Sequence, residues 1–171
     1  MKQRILSILV DNTSGVLGRI SGLFSRRGYN IDSLTVGETQ NPAFSRMTVV
    51  VRGDDQVLDQ IEKQVEKLED VRSVKVLEHG ERVCRELILV TVGVSAQQRP
   101  AVVAIADIFR AKIVDVGPDT LMIELTGNQN KLDAFVHLLD GYEIKEMVRT
   151  GITGLSRGAR DTFDEFDDIT E

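Results

Sequence analysis

The sequence has a single cysteine and no hydrophobic run that could cross a membrane. Cys84 has no second cysteine with which to form an internal disulfide, which agrees with a reducing compartment. The longest apolar run, Leu87–Val94, is interrupted by Thr91 and Gly93 and is far shorter than the about 20 residues of a membrane helix. The first four residues lead directly into a strand-like segment, so we expect no signal or transit peptide. These absences predict a cytoplasmic protein without a membrane segment.

Positive charge is also scarce, with 21 lysines and arginines against 27 acidic residues. Residues 160–171 contain six acidic side chains and one arginine, so most of the net charge of -6 lies in an acidic tail over residues 159–171. We interpret this tail as a solvated terminus. The remaining chain is near neutral and offers no basic face to neutralise a phosphate backbone, so we expect no nucleic-acid partner.

Groups for catalysis or metal binding are few. His79 and His137 are far apart in sequence, and neither has metal-ligand spacing with Cys84. The serines near the first predicted helix have no neighbouring base that would activate them. The glycines of that helix do not have the spacing of a phosphate-binding loop. We identify no catalytic residue and no metal ligand, and we expect no cofactor in this chain.

The chain does contain hydrophobic periodicity that alternates between strand and helix. β-Branched segments predict four strands, and two helical patterns lie after the first and third of them, the first ending at Gly28. The strands are predicted at Ile5–Val10, Ile31–Val36, Met47–Val51 and Val71–Leu77. The same order follows a linker at residues 80–82, with strands at Glu86–Val94, Lys112–Val116, Leu121–Leu125 and Glu143–Arg149.

Two βαββαβ units predict an α+β protein with two tandem ferredoxin-like sandwiches, each a four-stranded antiparallel sheet under two helices. RNA-recognition domains share this order, but they stack bases on aromatic residues that the inner strands lack here. In Ile5–Val10 and Met47–Val51 both faces are apolar, and helices cover only one face. We therefore expect a homodimer, with an edge-to-edge pairing of sheets as one arrangement.

The first helix start is the candidate binding site. The first N–H groups of a helix lack internal partners and favour a carboxylate, and Asn12 and Gly15 lie beside them. A second cluster, Asn30 and Ile31, begins the next strand. If two subunits pair along that strand, Asn30 of one could face Gly15 of the other. This arrangement favours a sensor for a small amino acid.

The sequence resembles the small regulatory subunit of acetohydroxyacid synthase, also called acetolactate synthase. The most specific match is Arg-Gly-Tyr-Asn-Ile at residues 27–31 within residues 26–36, and Ser-Arg-Met-Thr at 45–48 supports it. The resemblance extends to Lys-Leu-Asp-Ala-Phe at 131–135 and Gly-Leu-Ser-Arg-Gly at 154–158. It implies an ACT domain at residues 1–78, for effector binding and dimerisation, and a ferredoxin-like regulatory domain at 83–158.

The resemblance also implies a function and a partner. A branched-chain amino acid, typically valine, would bind across a dimer interface at positions matching Asn12, Gly15, Val16, Asn30 and Ile31. The partner would be the large catalytic subunit, which carries thiamine diphosphate, Mg and FAD and condenses two 2-oxo acids. This chain would raise its activity and confer feedback inhibition in valine, leucine and isoleucine biosynthesis. The alternative is a free-standing ACT-type amino-acid-binding regulator of another target.

Overall fold

The computed structural model describes residues 1–158, and the predicted acidic tail lies outside the described residues. The described residues divide into two compact units, which are Met1–Val83 with residues 152–158, and Cys84–Gly151. Residues 152–158, predicted to belong to the second domain, group with the first unit in the structure. Among residues 1–158, no helix is long and apolar enough to span a bilayer.

The first unit has the predicted βαββαβ order. Its four strands form one antiparallel sheet in the spatial order β2-β3-β1-β4, which places β2 at an edge. The elements are β1 (Lys2–Asp11), α1 (Val16–Arg27), β2 (Asn30–Glu38), β3 (Phe44–Gly53), α2 (Asp55–Glu66) and β4 (Val71–Val76). The ferredoxin-like fold predicted for this unit is confirmed.

The helices cover one face of this sheet, and the apolar positions of the pattern form its core. One residue in three or four on each helix is buried, as the helical period requires. α1 ends at Gly28, which adopts the left-handed conformation predicted for a C-terminal glycine (φ 67°). The buried core contains Leu6, Ile8, Val10, Val16, Ile20, Leu23, Phe24, Met47, Val49, Val51, Leu58, Ile61 and Val65.

The face of the sheet opposite the two helices, which we call the open face because α1 and α2 pack on the other side, is also buried. Ile5 and Leu9 on this face of β1 are 3% and 0% exposed. This cover comes from the chain itself, and residues 152–156 belong to it, because the backbone of Ile152 and Gly154 hydrogen-bonds to hydroxyl groups on β2 and β3. The apolar open face therefore does not by itself require a second subunit, contrary to the argument made from the sequence.

The second unit repeats the fold with its own core. The sheet order is β6-β7-β5-β8, and β5 begins at Arg82, within the segment predicted as a linker. Its elements are β5 (Arg82–Gly93), α3 (Arg99–Ile108), β6 (Lys112–Val116), β7 (Thr120–Gly127), α4 (Gln129–Leu138) and β8 (Glu143–Arg149). A ninth strand, β9 (Thr153–Ser156), was not predicted and belongs to the segment grouped with the first unit.

Candidate functional site

Helix α1 begins without a capping side chain. Its N-cap residue is Gly15, which has φ 86° in the left-handed region that favours glycine, and no side chain accepts a hydrogen bond from the first turn. In contrast, Asp54 caps α2 by accepting from the backbone of Val57, and Asn128 caps α4 in the same way. The first N–H groups of α1 are therefore available to an external acceptor.

Val16 lies at the first helical position but does not point its side chain outward. The side chain is 4% exposed and belongs to the core of the first unit. Its backbone N–H has no partner within the helix, because the residue four positions earlier lies before the helix begins. Val16 therefore contributes a donor to the predicted site and anchors the helix start on the sheet.

Asn12 ties the end of β1 to the hairpin between β2 and β3. Its Nδ2 donates to Glu38 Oε2 at 3.2 Å and to the carbonyl of Pro42 at 2.9 Å. Its Oδ1 accepts from the hydroxyl of Ser45 at 3.1 Å. Both amide hydrogens are thus used inside the chain, and Oδ1 retains one lone pair as an acceptor.

Arg19 is a charged neighbour of the helix start that the sequence analysis did not single out. A Cβ built on Gly15 would lie 2.9 Å from Arg19 Nη1, so the guanidinium lies over this glycine. Asp70 fixes it from the loop before β4, accepting from Nε and from Nη2, the latter at 3.0 Å. Within residues 1–158, Nη1 has no hydrogen-bond partner. The spacing of four residues from Gly15 could have revealed this proximity.

The ion pair shifts both groups toward their charged forms. The hydrogen bond from Arg19 holds the pKa of Asp70 below its usual range, and the same bond raises the pKa of Arg19. The nearby Arg72 donates to Asp11 from Nε and Nη2, each at 2.7 Å, and this bond raises its pKa. The helix start is therefore flanked by arginines whose orientations are set by carboxylates.

Asn30 and Ile31 lie at the other end of α1. Asn30 begins β2 and is exposed, with Nδ2 donating to Asp32 Oδ1 at 3.0 Å. Ile31 is partly buried against the core of the unit. The 12 residues of α1 separate these positions from Gly15 by about 18 Å along the helix axis. One chain therefore does not bring the two predicted clusters together.

Comparisons with known proteins identify the family. A family model described as the AHAS small subunit-like ACT domain matches residues 6–73, and one described as the small subunit of acetolactate synthase matches residues 85–158. The probable acetolactate synthase small subunit of Methanothermobacter thermautotrophicus is 50% identical over 91% of this chain and 94% of its own length. The chain belongs to the acetolactate synthase small-subunit family.

Two further members of the family are similar to this chain over nearly its whole length. The acetolactate synthase isozyme 3 small subunit of Escherichia coli is 49% identical over 91% of this chain and 96% of its own. The crystal structure of the acetolactate synthase small subunit from Thermotoga maritima superposes with a TM-score of 0.87 at 38% identity, covering 93% of this chain and 99% of that one. The resemblance inferred from the sequence is confirmed, and with it an ACT domain in a regulatory subunit of branched-chain amino acid biosynthesis.

Among residues 1–158, no three His, Cys, Asp or Glu side chains lie close enough together to hold a metal ion. The start of α1 presents backbone N–H donors, one guanidinium donor from Arg19 and one amide acceptor, Oδ1 of Asn12.

Proposed function

We propose that this chain binds the large catalytic subunit of acetohydroxyacid synthase, raises its activity and makes it sensitive to valine. The thiamine diphosphate, Mg and FAD of the reaction belong to the large subunit, and this chain supplies none of them. Family membership over nine-tenths of the chain supports the partner. The uncapped start of α1 carries the effector proposal, because it holds unused donors for a carboxylate.

The valine site in this proposal is completed by a second copy of the chain. β2 lies at the sheet edge, and Asn12 ties its end, Glu38, to the turn before α1. If two β2 strands pair in antiparallel fashion about a twofold axis, the start of one strand lies opposite the end of the other. Asn30 of one copy then lies near Gly15 of the other, although the two are far apart in one chain.

Each chemical group of the bound valine is assigned to protein groups of matching chemistry. The carboxylate accepts from the first N–H groups of α1 and from Nη1 of Arg19. The ammonium group donates to amide oxygens, namely Oδ1 of Asn12 and that of Asn30 from the second copy. The isopropyl group packs against Ile31 of the second copy. Valine then inhibits by binding one arrangement of the subunits better than another, and couplings of about 1–3 kcal/mol are typical.

Reconstitution of the two subunits tests the proposal. Adding this chain to a purified large subunit is expected to raise the rate of acetolactate formation, and valine is expected to reverse that rise. Light scattering of this chain alone at micromolar concentration is expected to give the mass of a dimer. A rate that does not change on addition contradicts the partner assignment, and co-purification with a different target would favour the free-standing regulator. A monomer that still binds valine contradicts the shared site.

A further inference from the structure

The segment Ile152–Ser156, which we call the strap, lies on the open face of the first-unit sheet, where three side-chain hydroxyls hydrogen-bond to its backbone. Its residues Thr153–Ser156 form β9, which also pairs with β5. Thr35 Oγ1 donates to the carbonyl of Ile152 at 3.2 Å, and the Ile152 N–H donates to Ser33 Oγ at 3.5 Å. The Gly154 N–H donates to Thr48 Oγ1 at 3.3 Å. Thr48 is 2% exposed and Ile152 is 8% exposed. The contact of Thr48 with Gly154 is therefore buried, whereas the contacts of Ser33 and Thr35 with Ile152 are partly buried.

Two of the three hydroxyls that contact the strap lie on β2, the strand that carries two predicted effector positions. β2 begins with Asn30 and Ile31, and Ser33 and Thr35 follow on the open face. The ladder between β2 and β3 is regular from Ser33 to Glu38, where Thr35 pairs with Thr48. Its register shifts between Ile31 and Ser33, so the strand is irregular between the effector positions and the strap contacts. Such irregularities change the direction of a strand and of its side chains.

We propose that Ser33 and Thr35 are positioning residues, through which valine bound at Asn30 and Ile31 changes how β2 holds the strap. This inference rests on the proposed function, since it takes valine as the effector. Neutral hydrogen bonds contribute little net stability each. A small shift of β2 is therefore enough to alter the balance between a strap held by β2 and one released from β2 while β9 stays paired with β5. A segment with two such states is the element that an effector needs, because a ligand acts only through a difference in affinity between states.

The Thr35→Val variant removes the hydroxyl while keeping the shape of the side chain. We expect valine to bind the variant with an affinity within about twofold of the wild type by calorimetry. The reconstituted enzyme should remain activated, but the valine concentration for half-maximal inhibition should rise at least about fivefold, the low end of typical couplings. Thr35→Ser keeps the hydroxyl and is expected to restore inhibition. Thr39→Val is the matched control, because Thr39 donates only within its own hairpin.

Hydrogen exchange gives a readout that does not depend on activity. Valine is expected to change the exchange rate of the Ile152 and Gly154 amides in the wild type, and to change it less in Thr35→Val. Unchanged inhibition of Thr35→Val overturns the inference, and so does a loss of valine binding by this variant, since Thr35 would then act on binding. A wild-type chain that binds no valine contradicts the proposed function itself, and that result is visible before any variant is compared.

Discussion

Asp70 holds Arg19 at two guanidinium nitrogens, Nε and Nη2, and thereby directs the third, Nη1, over Gly15. Gly15, which lacks a side chain, and Arg19, which supplies the positive charge, are four residues apart, about one helical turn. The glycine leaves room for both the guanidinium and an incoming carboxylate, since a Cβ at this position would already meet Nη1.

Gly15→Asp is expected to abolish valine binding while leaving activation of the large subunit intact. The new carboxylate would take the place and the partners of the carboxylate of valine. Gly15→Asn is the matched control, because Asn and Asp both tolerate a positive φ better than most residues and both displace the flexible end of Arg19. Calorimetry should show weakened binding by the Asn variant, which has the added side chain without the charge, and none by the Asp variant. Equal affinities in the Asp variant and the wild type would place valine elsewhere.

Asn30→Ala is expected to weaken valine binding by about 1.5–3 kcal/mol, the value of a hydrogen bond to a charged group. This cost corresponds to about a 10- to 150-fold rise in Kd. Gln3→Ala is a suitable control, because Gln3 also donates to Asp32, at 3.4 Å, but has no role in the proposed site. If the two variants bind valine equally well, Asn30 does not contact the ligand.

The ion pair of Asp70 predicts a pH dependence in acid. The hydrogen bond from Arg19 lowers the pKa of Asp70 in the folded state, so the folded protein loses a proton from this group more readily than the unfolded chain. The stabilisation is therefore present above the ordinary pKa of 3.8 and is lost as the pH falls through the lowered value. Urea midpoints at pH 5 and pH 3 should differ more for the wild type than for Asp70→Asn. Identical differences in the two proteins would show that the pair does not contribute.

The sequence was sufficient for the four helices and for β1 to β8 because the periodicity of each of these segments is clear. Ile5–Val10 and Met47–Val51 appear inside β1 and β3, and Gly28 ends α1 as its position indicated. The strap was missed because Gly-Ile-Thr-Gly-Leu-Ser at residues 151–156 has two glycines and no sustained alternation. Its contacts are with hydroxyls more than 100 residues earlier in the chain and with β5, and such long-range contacts have no local signal.

The candidate site was predictable in its residue types but not in its hydrogen bonds. The uncapped helix start follows from Gly15, since glycine has no side chain to offer. The use of Asn12 inside the chain does not follow, because its partners Glu38, Pro42 and Ser45 are 26 to 33 residues away. The role of Asp70 likewise depends on a loop that only the fold brings to α1.

The second unit contains a buried ion pair whose loss should be costly. Arg149 donates from Nε and Nη2 to both carboxylate oxygens of Glu86, at 2.9 and 2.8 Å, and from Nη1 to Asp133 at 2.8 Å. Glu86 is only 6% exposed, so Arg149→Met would leave a buried charge without a partner. We expect a loss of about 3 kcal/mol in the free energy of unfolding, the low end for such pairs because Arg149 is partly exposed.

Two further variants separate the buried charge from other effects. Asp133→Asn removes the exposed partner of Arg149 and should cost less than about 1 kcal/mol, as surface ion pairs do. Combining Glu86→Gln with Arg149→Met removes the uncompensated charge and should recover part of the stability. Urea unfolding gives the free energy of unfolding of all three variants. If Arg149→Met costs no more than Asp133→Asn, the pair behaves as a surface contact, and the desolvation of Glu86 has no energetic consequence.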